Sequence, residues 1–206
     1  MIFDIGANRG LFTDVCLQKN LNEKIIVIEA NPHLSNYLKQ KYLNNNNIIV
    51  LNVLVSNSIT NLAPFYLSNA DTISTASTDW ITRSRFTGEY VWYEPIFLPS
   101  KTLDSLISEY GVPDLVKVDV EGYEYEVLSG LTTKTNEICF EWAEEQQDNI
   151  NKTCEHLQNI GYNDFGYIEG DEYMKKPDIY TKWKESSIHS LMDKERKEKW
   201  GMIWVK

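Results

Sequence analysis

The chain has 206 residues, 42% hydrophobic and 12% aromatic, which is enough for a folded core and excludes global disorder. Its 20 Lys and Arg stand against 30 Asp and Glu, a net charge of −10, which argues against a protein that coats nucleic acid, because neutralising phosphates takes a basic face. No apolar run nears the ~20 residues of a membrane span, so neither a nucleic acid nor a membrane is expected as a partner.

From the start of the chain, short β-branched runs alternate with helical patterns. Ile2 to Ile5 reads as a strand, residues 11–19 as a helix, and Ile25 to Ile28 as a second strand whose unbroken apolar character suits burial on both faces. Residues 33–43 carry Leu34, Tyr37, Leu38 and Tyr42 at helical spacing, and a polar loop over 44–47 leads to a third strand, Ile48 to Leu51. The period is unclear from 57 to 100. That stretch suggests a local hairpin over 62–67, then an irregular Ser/Thr-rich segment with many aromatics, a length of loop that is usually functional in a compact domain. Alternation resumes with a helix over 103–110, capped near Thr102 and stopped at Gly111. A strand over 115–119, a helix over 123–131, a strand over 137–141 and a helix over 149–160 follow. Late strands at 162–168 and 201–205 flank a charged helical segment at 188–199. This alternation predicts a doubly wound α/β sheet in one domain, 1–206, with a cap or substrate loop at about 57–100.

Cys16, Cys139 and Cys154 have no regular spacing, so they form neither a disulfide framework nor a zinc site. With an opening that lacks a basic and an apolar leader region, they point to a cytoplasmic protein. No residue is assigned as a metal ligand, and the need for a divalent metal is left open.

Three motifs carry chemistry. Asp4-Ile5-Gly6-Ala7-Asn8-Arg9-Gly10 lies between the first strand and the first helix. Glycine lets the backbone turn sharply beside a ligand, and the helix start favours an anion. Dinucleotides require three glycines spaced Gly-x-Gly-x-x-Gly, which this turn lacks. It suits a ligand without a diphosphate, such as S-adenosylmethionine, whose carboxylate can face the turn's N–H groups and whose ammonium can meet Asp4 and nearby carbonyls. Glu29-Ala30-Asn31-Pro32 follows the second strand, and an acidic residue about 20 positions past the glycine turn is where a ribose diol is held. The third motif begins with Thr102-Leu103-Asp104-Ser105-Leu106 and continues with Asp114-Leu115-Val116-Lys117-Val118-Asp119-Val120-Glu121-Gly122-Tyr123-Glu124, through Val127, Leu128 and Gly130.

On these residues the chain resembles the FkbM-type S-adenosylmethionine-dependent methyltransferases, over roughly 1–142. The resemblance implies the class I methyltransferase fold, a Rossmann-like, mostly parallel seven-stranded sheet with helices on both faces and the last strand antiparallel beside the fifth. It implies S-adenosylmethionine as cofactor, with Asp4, Gly6, Asn8 and Gly10 at the methionine end and Glu29 at the ribose. The segment Leu54-Val55-Ser56 would meet the adenine and Asp119 would sit near the methyl. Ala7, Ala30 and Asn31 complete the cofactor contacts. It also implies oxygen methylation of sugars, polyketides or other small metabolites.

Asp4, Glu29, Asp119, Glu121 and Glu141 all fall at or just past carboxyl ends of strands, so they converge on one crevice that suits a cationic sulfonium. A hydroxyl acceptor requires a base, and the candidates are Asp119, Glu121, Glu141 and His33. Glu124 reads as a charged first helical turn, and His156 and His189 as solvated helical positions. Trp80, Arg83, Arg85 and Trp92 in the middle segment are the substrate-binding candidates, by ring stacking on a sugar and by an arginine grip on phosphate or carboxylate; equally, the aromatics could pack a cap. The expected activity is methyl transfer to a hydroxyl of a sugar, nucleotide sugar or glycan precursor. One alternative, a nicotinamide-dependent nucleotide-sugar oxidoreductase, requires a third glycine and a Tyr-x-x-x-Lys pair, and Tyr123 is followed four places on by Val127. The other is a non-enzymatic S-adenosylmethionine-binding module.

Overall fold

A computed structural model describes residues 1–19, 23–170, 172, 174–184 and 199–206. Its centre is a sheet of seven strands. The apolar runs β1 (Ile2–Ile5), β2 (Ile25–Ile28) and β3 (Ile48–Leu51) pair in parallel, and β8 (Leu115–Val118) pairs in parallel with β1 and with β9 (Glu137–Ala143). The strand β11 (Trp200–Val205) runs antiparallel between β9 and β10 (Phe165–Glu169), giving the order β10-β11-β9-β8-β1-β2-β3. This is the expected seven-stranded, mostly parallel architecture. β1, β2 and β8 are buried along their whole length, whereas β3 has the same apolar composition and is half-buried because it is the sheet edge.

Side chains of each strand alternate between two apolar layers. Phe3, Ile5, Val116, Val118, Ile138 and Phe140 face α4 (Leu103–Tyr110), α5 (Glu124–Leu128) and α6 (Gln147–Asn159). Ile2, Ile25, Val27, Leu115 and Cys139 face α1 (Leu11–Gln18) and α2 (Pro32–Lys41). Helix starts follow local chemistry. Asn31 caps α2 by accepting from His33 and Leu34 N–H, with Pro32 at the first helical position. Thr102 and Ser105 form a reciprocal capping box at α4.

Four expectations change. The local hairpin at 62–67 does not form: β5 (Ala63–Phe65) pairs antiparallel with β6 (Ile96–Leu98), across the whole of 66–95. A two-strand ribbon needs an apolar partner to be stable, and this one has Leu54, from β4 (Leu54–Val55), in its cluster; β4 itself pairs with β7 (Ser100–Lys101). The helix expected from 123 starts at Glu124 and ends at Leu128, because Glu121 and Gly122 both take positive φ and delay it. Glu141 is not at a strand end, since β9 runs on to Ala143. The late strand begins at Phe165 rather than 162. The charged segment at 188–198, with His189, lies outside the described residues. Among the described residues no helix is long and apolar enough to cross a membrane.

Candidate active site

A cleft of about 230 Å³ opens past the carboxyl ends of β1, β2 and β8, where ligands enter open α/β sheets. Its lining has three parts. Gly6, Ala7, Asn8, Arg9, Leu11 and Phe12 form the glycine-turn wall; Ala30, Val53, Leu54, Val55, Phe65, Ala76 and Tyr123 form an apolar wall; Lys117, Asp119, Glu121 and Glu141 form the charged end. Glu29 lies beside the first two.

Gly6 decides how closely the turn can approach β8. It has φ 72°, and a Cβ there would sit 1.8 Å from the Asp119 carbonyl oxygen. No other residue fits without moving one strand end. The turn's own amides are then used internally. Gly6 and Ala7 donate to Ile28 O, Gly10 to Ala7 O, Arg9 to Asn8 Oδ1, and Asn8 to Glu29 Oε2. The sequence expectation that these N–H groups face a carboxylate is therefore corrected. The anion-favouring end moves to the start of α1, which has no side-chain cap and whose Leu11 and Phe12 line the cleft.

Glu29 accepts 2.7 Å bonds from Asn8 N–H and Asn31 N–H, one on each oxygen. Burial lifts its carboxyl from 4.5 to about 7, against the pull of those two N–H groups toward the ionised form. Each oxygen keeps a second lone pair, which is what a ribose diol requires. Asn52 holds this corner by donating to the Glu29 and Ala30 carbonyls.

At the charged end, one oxygen each of Asp119, Glu121 and Glu141 lies within 4.8 Å of the others. Burial, then neighbouring carboxylates, pushes the Glu121 and Glu141 carboxyls well above the usual range. The trio's hard oxygens are a donor set that Mg²⁺ or Ca²⁺ takes. Glu121 is held by Thr75, whose hydroxyl donates to its carbonyl at 2.7 Å.

Asp4, Gly10 and Asn31 do not line the cleft. Asp4 is fully buried beneath it, where Thr13 Oγ1 donates to Oδ2 and Lys117 Nζ lies 3.4 Å from Oδ1. Lys117 also donates to Gly6 O at 2.9 Å. Asp4, which the sequence offers to a ligand ammonium, thus already faces an ammonium from within the chain. Gly10 shapes α1 behind the wall, with its carbonyl bonded by Tyr42, and Asn31 acts as a helix cap. Glu124 is buried and accepts from Val120 N–H, with burial raising it to about 7, so it is an internal acceptor rather than a surface charge. His33 is exposed outside the lining, and His156 is half-buried with Nε2 2.9 Å from Leu131 O rather than solvated.

None of the four substrate candidates lines the cleft. Trp80 is completely buried, edge-on to Phe86 and packed against Gly122, so it has no face to offer a sugar. Trp92 spends its indole N–H on Ile73 O. Arg83 is exposed and pairs with Asp79 one helical turn back, and Arg85 lies 3.6 Å from Glu145. The middle segment meets the cleft elsewhere. Asp71, Thr72, Ser74 and Ala76 line it, and Arg9 pairs with Asp71 at 2.5 Å while Asn8 Nδ2 donates to Asp71 O. Sequence reasoning missed Lys117, Tyr123, Arg9, Phe65 and this short strap. The Lys117 signal was present as a lone lysine inside an apolar strand run.

A family profile described as "Methyltransferase FkbM domain" matches residues 4–169. The chain is similar to the crystal structure of Methyltransferase FkbM from Methylobacillus flagellatus KT, with TM-score 0.56 and 14% identity over 100% of this chain and 43% of that one. It is also similar to a precorrin-6y C5,15-methyltransferase from Geobacter metallireducens GS-15, with TM-score 0.45 and 12% identity over 100% of this chain and 78% of that one. The chain thus spans less than half of the first protein. Among curated proteins nothing matches.

Proposed function

The chain belongs to the FkbM methyltransferase family, and on that premise we propose that it transfers the methyl of S-adenosylmethionine to a hydroxyl of a sugar, nucleotide sugar or glycan precursor. The observation that supports this most is the order of groups along one cleft. A carboxylate with two lone pairs to spare, Glu29, lies beside a turn whose only tolerable residue is glycine, and a cluster of carboxylates closes the far end.

When bound, S-adenosylmethionine supplies an electrophilic methyl on a sulfonium that leaves as a neutral thioether. The chain's residues do the rest. Glu29 would accept the ribose hydroxyls, and Leu54, Phe65 and Tyr123 would offer the apolar wall to the adenine. The acidic end would hold the acceptor hydroxyl, and an ionised member of Asp119, Glu121 and Glu141 would take its proton as the new C–O bond forms. Orientation supplies the larger share of the rate, since a methyl transfer is an in-line displacement.

Charge narrows the acceptor. The lining acids are Glu29, Asp71, Asp119, Glu121 and Glu141, and the lining bases, Arg9 and Lys117, each already pair with an acid. A phosphate would find no uncommitted cation in this lining, which favours an uncharged sugar or glycan hydroxyl within the proposed class. The test is incubation with labelled S-adenosylmethionine and a panel of free sugars, glycans and nucleotide sugars, beside calorimetric titration of S-adenosylmethionine and NADH. Label on an uncharged acceptor is expected. Label on nucleotide sugars alone would overturn the charge argument, and binding of NADH without S-adenosylmethionine would overturn the whole reading.

A further inference from the structure

We infer that Lys117 is a positioning residue for the amino-acid end of the cofactor, an internal ammonium that organises the cleft floor so that Asp119 receives the ligand's own amino group. The inference rests on the cofactor reading above.

Strand register sets it up. Asp4 and Lys117 are cross-strand partners in the parallel pairing of β1 with β8, both facing the α1 side. Lys117 is only 3% exposed, yet it lines the cleft. Its Nζ lies 3.4 Å from Asp4 Oδ1 and 3.4 Å from Asp119 Oδ2, and it donates to Gly6 O at 2.9 Å. One side chain therefore ties the buried carboxylate of β1, the glycine turn and the carboxylate past β8 together. The two carboxylates differ in access. Asp4 is sealed, whereas the Asp119 side chain is a quarter exposed to the cleft. Lys117 faces the sealed Asp4 from below and occupies one of the two acceptor sites of the Gly6 carbonyl. Asp119, with Lys117 3.4 Å from its Oδ2, is the carboxylate of the two that a ligand can reach. The ammonium's donors go to the Ile5 and Gly6 carbonyls, at 3.4 and 2.9 Å, so it is anchored to the turn while it lies between the two carboxylates.

The test separates positioning from simple charge compensation. Lys117→Met alone strands the buried Asp4 charge and is expected to destabilise the fold. The informative protein is the double variant Asp4→Asn with Lys117→Met, which keeps the buried pair neutral, with Asp4→Asn alone as its control. Each is titrated calorimetrically with S-adenosylhomocysteine and with 5′-methylthioadenosine, which keeps the adenosine and thioether but lacks the amino-acid end. In the double variant, S-adenosylhomocysteine is expected to bind at least about tenfold more weakly, while 5′-methylthioadenosine stays within about twofold. The Asp4→Asn control is expected to stay within about threefold of wild type for both ligands. A double variant that binds S-adenosylhomocysteine as wild type does makes Lys117 a charge balance only. Equal losses for both ligands make it a general support of the cleft. Either result overturns the inference while leaving the cofactor reading intact. A wild-type protein that binds neither ligand overturns both.

Discussion

The glycine turn and the middle segment both line the same cleft, but they are built in opposite ways. The turn is assembled from neighbours in sequence: β1, residues 6–10 and α1 form one continuous stretch, and its main outside partner, Glu29, lies one strand away. The segment from 57 to 100 is assembled from distant pairings, β5 with β6, β4 with β7, and a strap at Asp71 pinned by Arg9. In the first region residue type reports position for Gly6 and Glu29, because a strand–turn–helix fixes which way they face, while Asp4 beside them faces the core. In the second it does not, since the same aromatics and arginines can face a ligand, the core or solvent depending on contacts made far along the chain.

Trp80 puts this difference to its largest test. As a stacking platform, its removal would lower acceptor affinity and leave stability unchanged. As a completely buried core ring, Trp80→Ala is expected to cost about 3–5 kcal/mol. In a chain of this size that is a fall of roughly 10 °C in thermal midpoint, read by calorimetry. An unchanged midpoint would return Trp80 to the ligand side and remove the contrast between the two regions.

Glu29 sharpens the turn side through pH. Its native carboxyl titrates at about 7 against 4.5 when free, so the native state binds the proton more tightly than the unfolded chain. The stability this adds is fully present below 4.5 and is lost as pH rises through about 7, a change of about 3 kcal/mol. Glu29→Gln should remove that part of the decline between pH 4.5 and 8, measured by urea unfolding. It should also weaken S-adenosylhomocysteine binding at least about tenfold at pH 8, because an amide cannot accept on both sides. A variant with the wild-type pH slope would show that Glu29 is solvated.

What was readable in the sequence follows the same division. Ile25 to Ile28 announces a central parallel strand through unbroken β-branched character, Leu115 to Val118 through an apolar run broken only by Lys117, and both are buried throughout. Asn31 reads in the sequence as a cofactor contact, and the structure makes it the cap of α2 instead, with Pro32 at the first helical position. Asp119 and Glu121 were legible as acids just past β8, whereas Glu141 meets them from inside β9 rather than from a strand end. Asp4 misled because a carboxylate at the end of a strand can face the core as well as the cleft, and only its register opposite Lys117 decides which. Trp80, Arg83, Arg85 and Trp92 misled because no periodicity in 57–100 tells inside from outside. The residues that do reach the cleft there, Asp71, Thr72, Ser74 and Ala76, are small or common and carry no signature.

A pair of glycines compares the regions with one chemical change. Gly6 and Gly88 both have left-handed φ, 72° and 83°, so Ala at either is strained by about 1–2 kcal/mol. They differ in surroundings. A Cβ on Gly6 meets the Asp119 carbonyl at 1.8 Å, while a Cβ on Gly88 meets nothing within 4 Å. Gly6→Ala should therefore cost a further ~1–3 kcal/mol, since backbone must move, and should abolish cofactor binding. Gly88→Ala should leave binding alone. Equal destabilisation of the two would mean that the turn can yield, and the close approach of β1 to β8 would lose its meaning.

The smallest effect tests the outer face of the cap. Arg83 is exposed, ends the helix α3 (Thr78–Arg83), and faces Asp79 at 3.4 Å in an i,i+4 pair. Exposed pairs of this kind contribute about 0.3–0.5 kcal/mol, and the long side chains give up entropy to form them. Arg83 does not line the cleft, and its cation already has a carboxylate beside it. Arg83→Ala should thus shift stability by less than about 0.5 kcal/mol and leave both S-adenosylhomocysteine affinity and methyl transfer to the best acceptor of the panel unchanged. Arg85 supplies the contrast. Its guanidinium lies over the rings of Trp80 and Phe86, and its charge pulls the Glu121 and Glu141 carboxyls down against the burial that raises them. Removing Arg85 should change transfer without changing cofactor affinity, because its charge acts on Glu121 and Glu141. If Arg83→Ala lowers transfer as much as Arg85→Ala does, the acceptor reaches beyond the cleft onto the outer face of α3. The middle segment would then be a binding surface in its own right rather than a cap whose contribution enters through Asp71, Thr72 and Ser74.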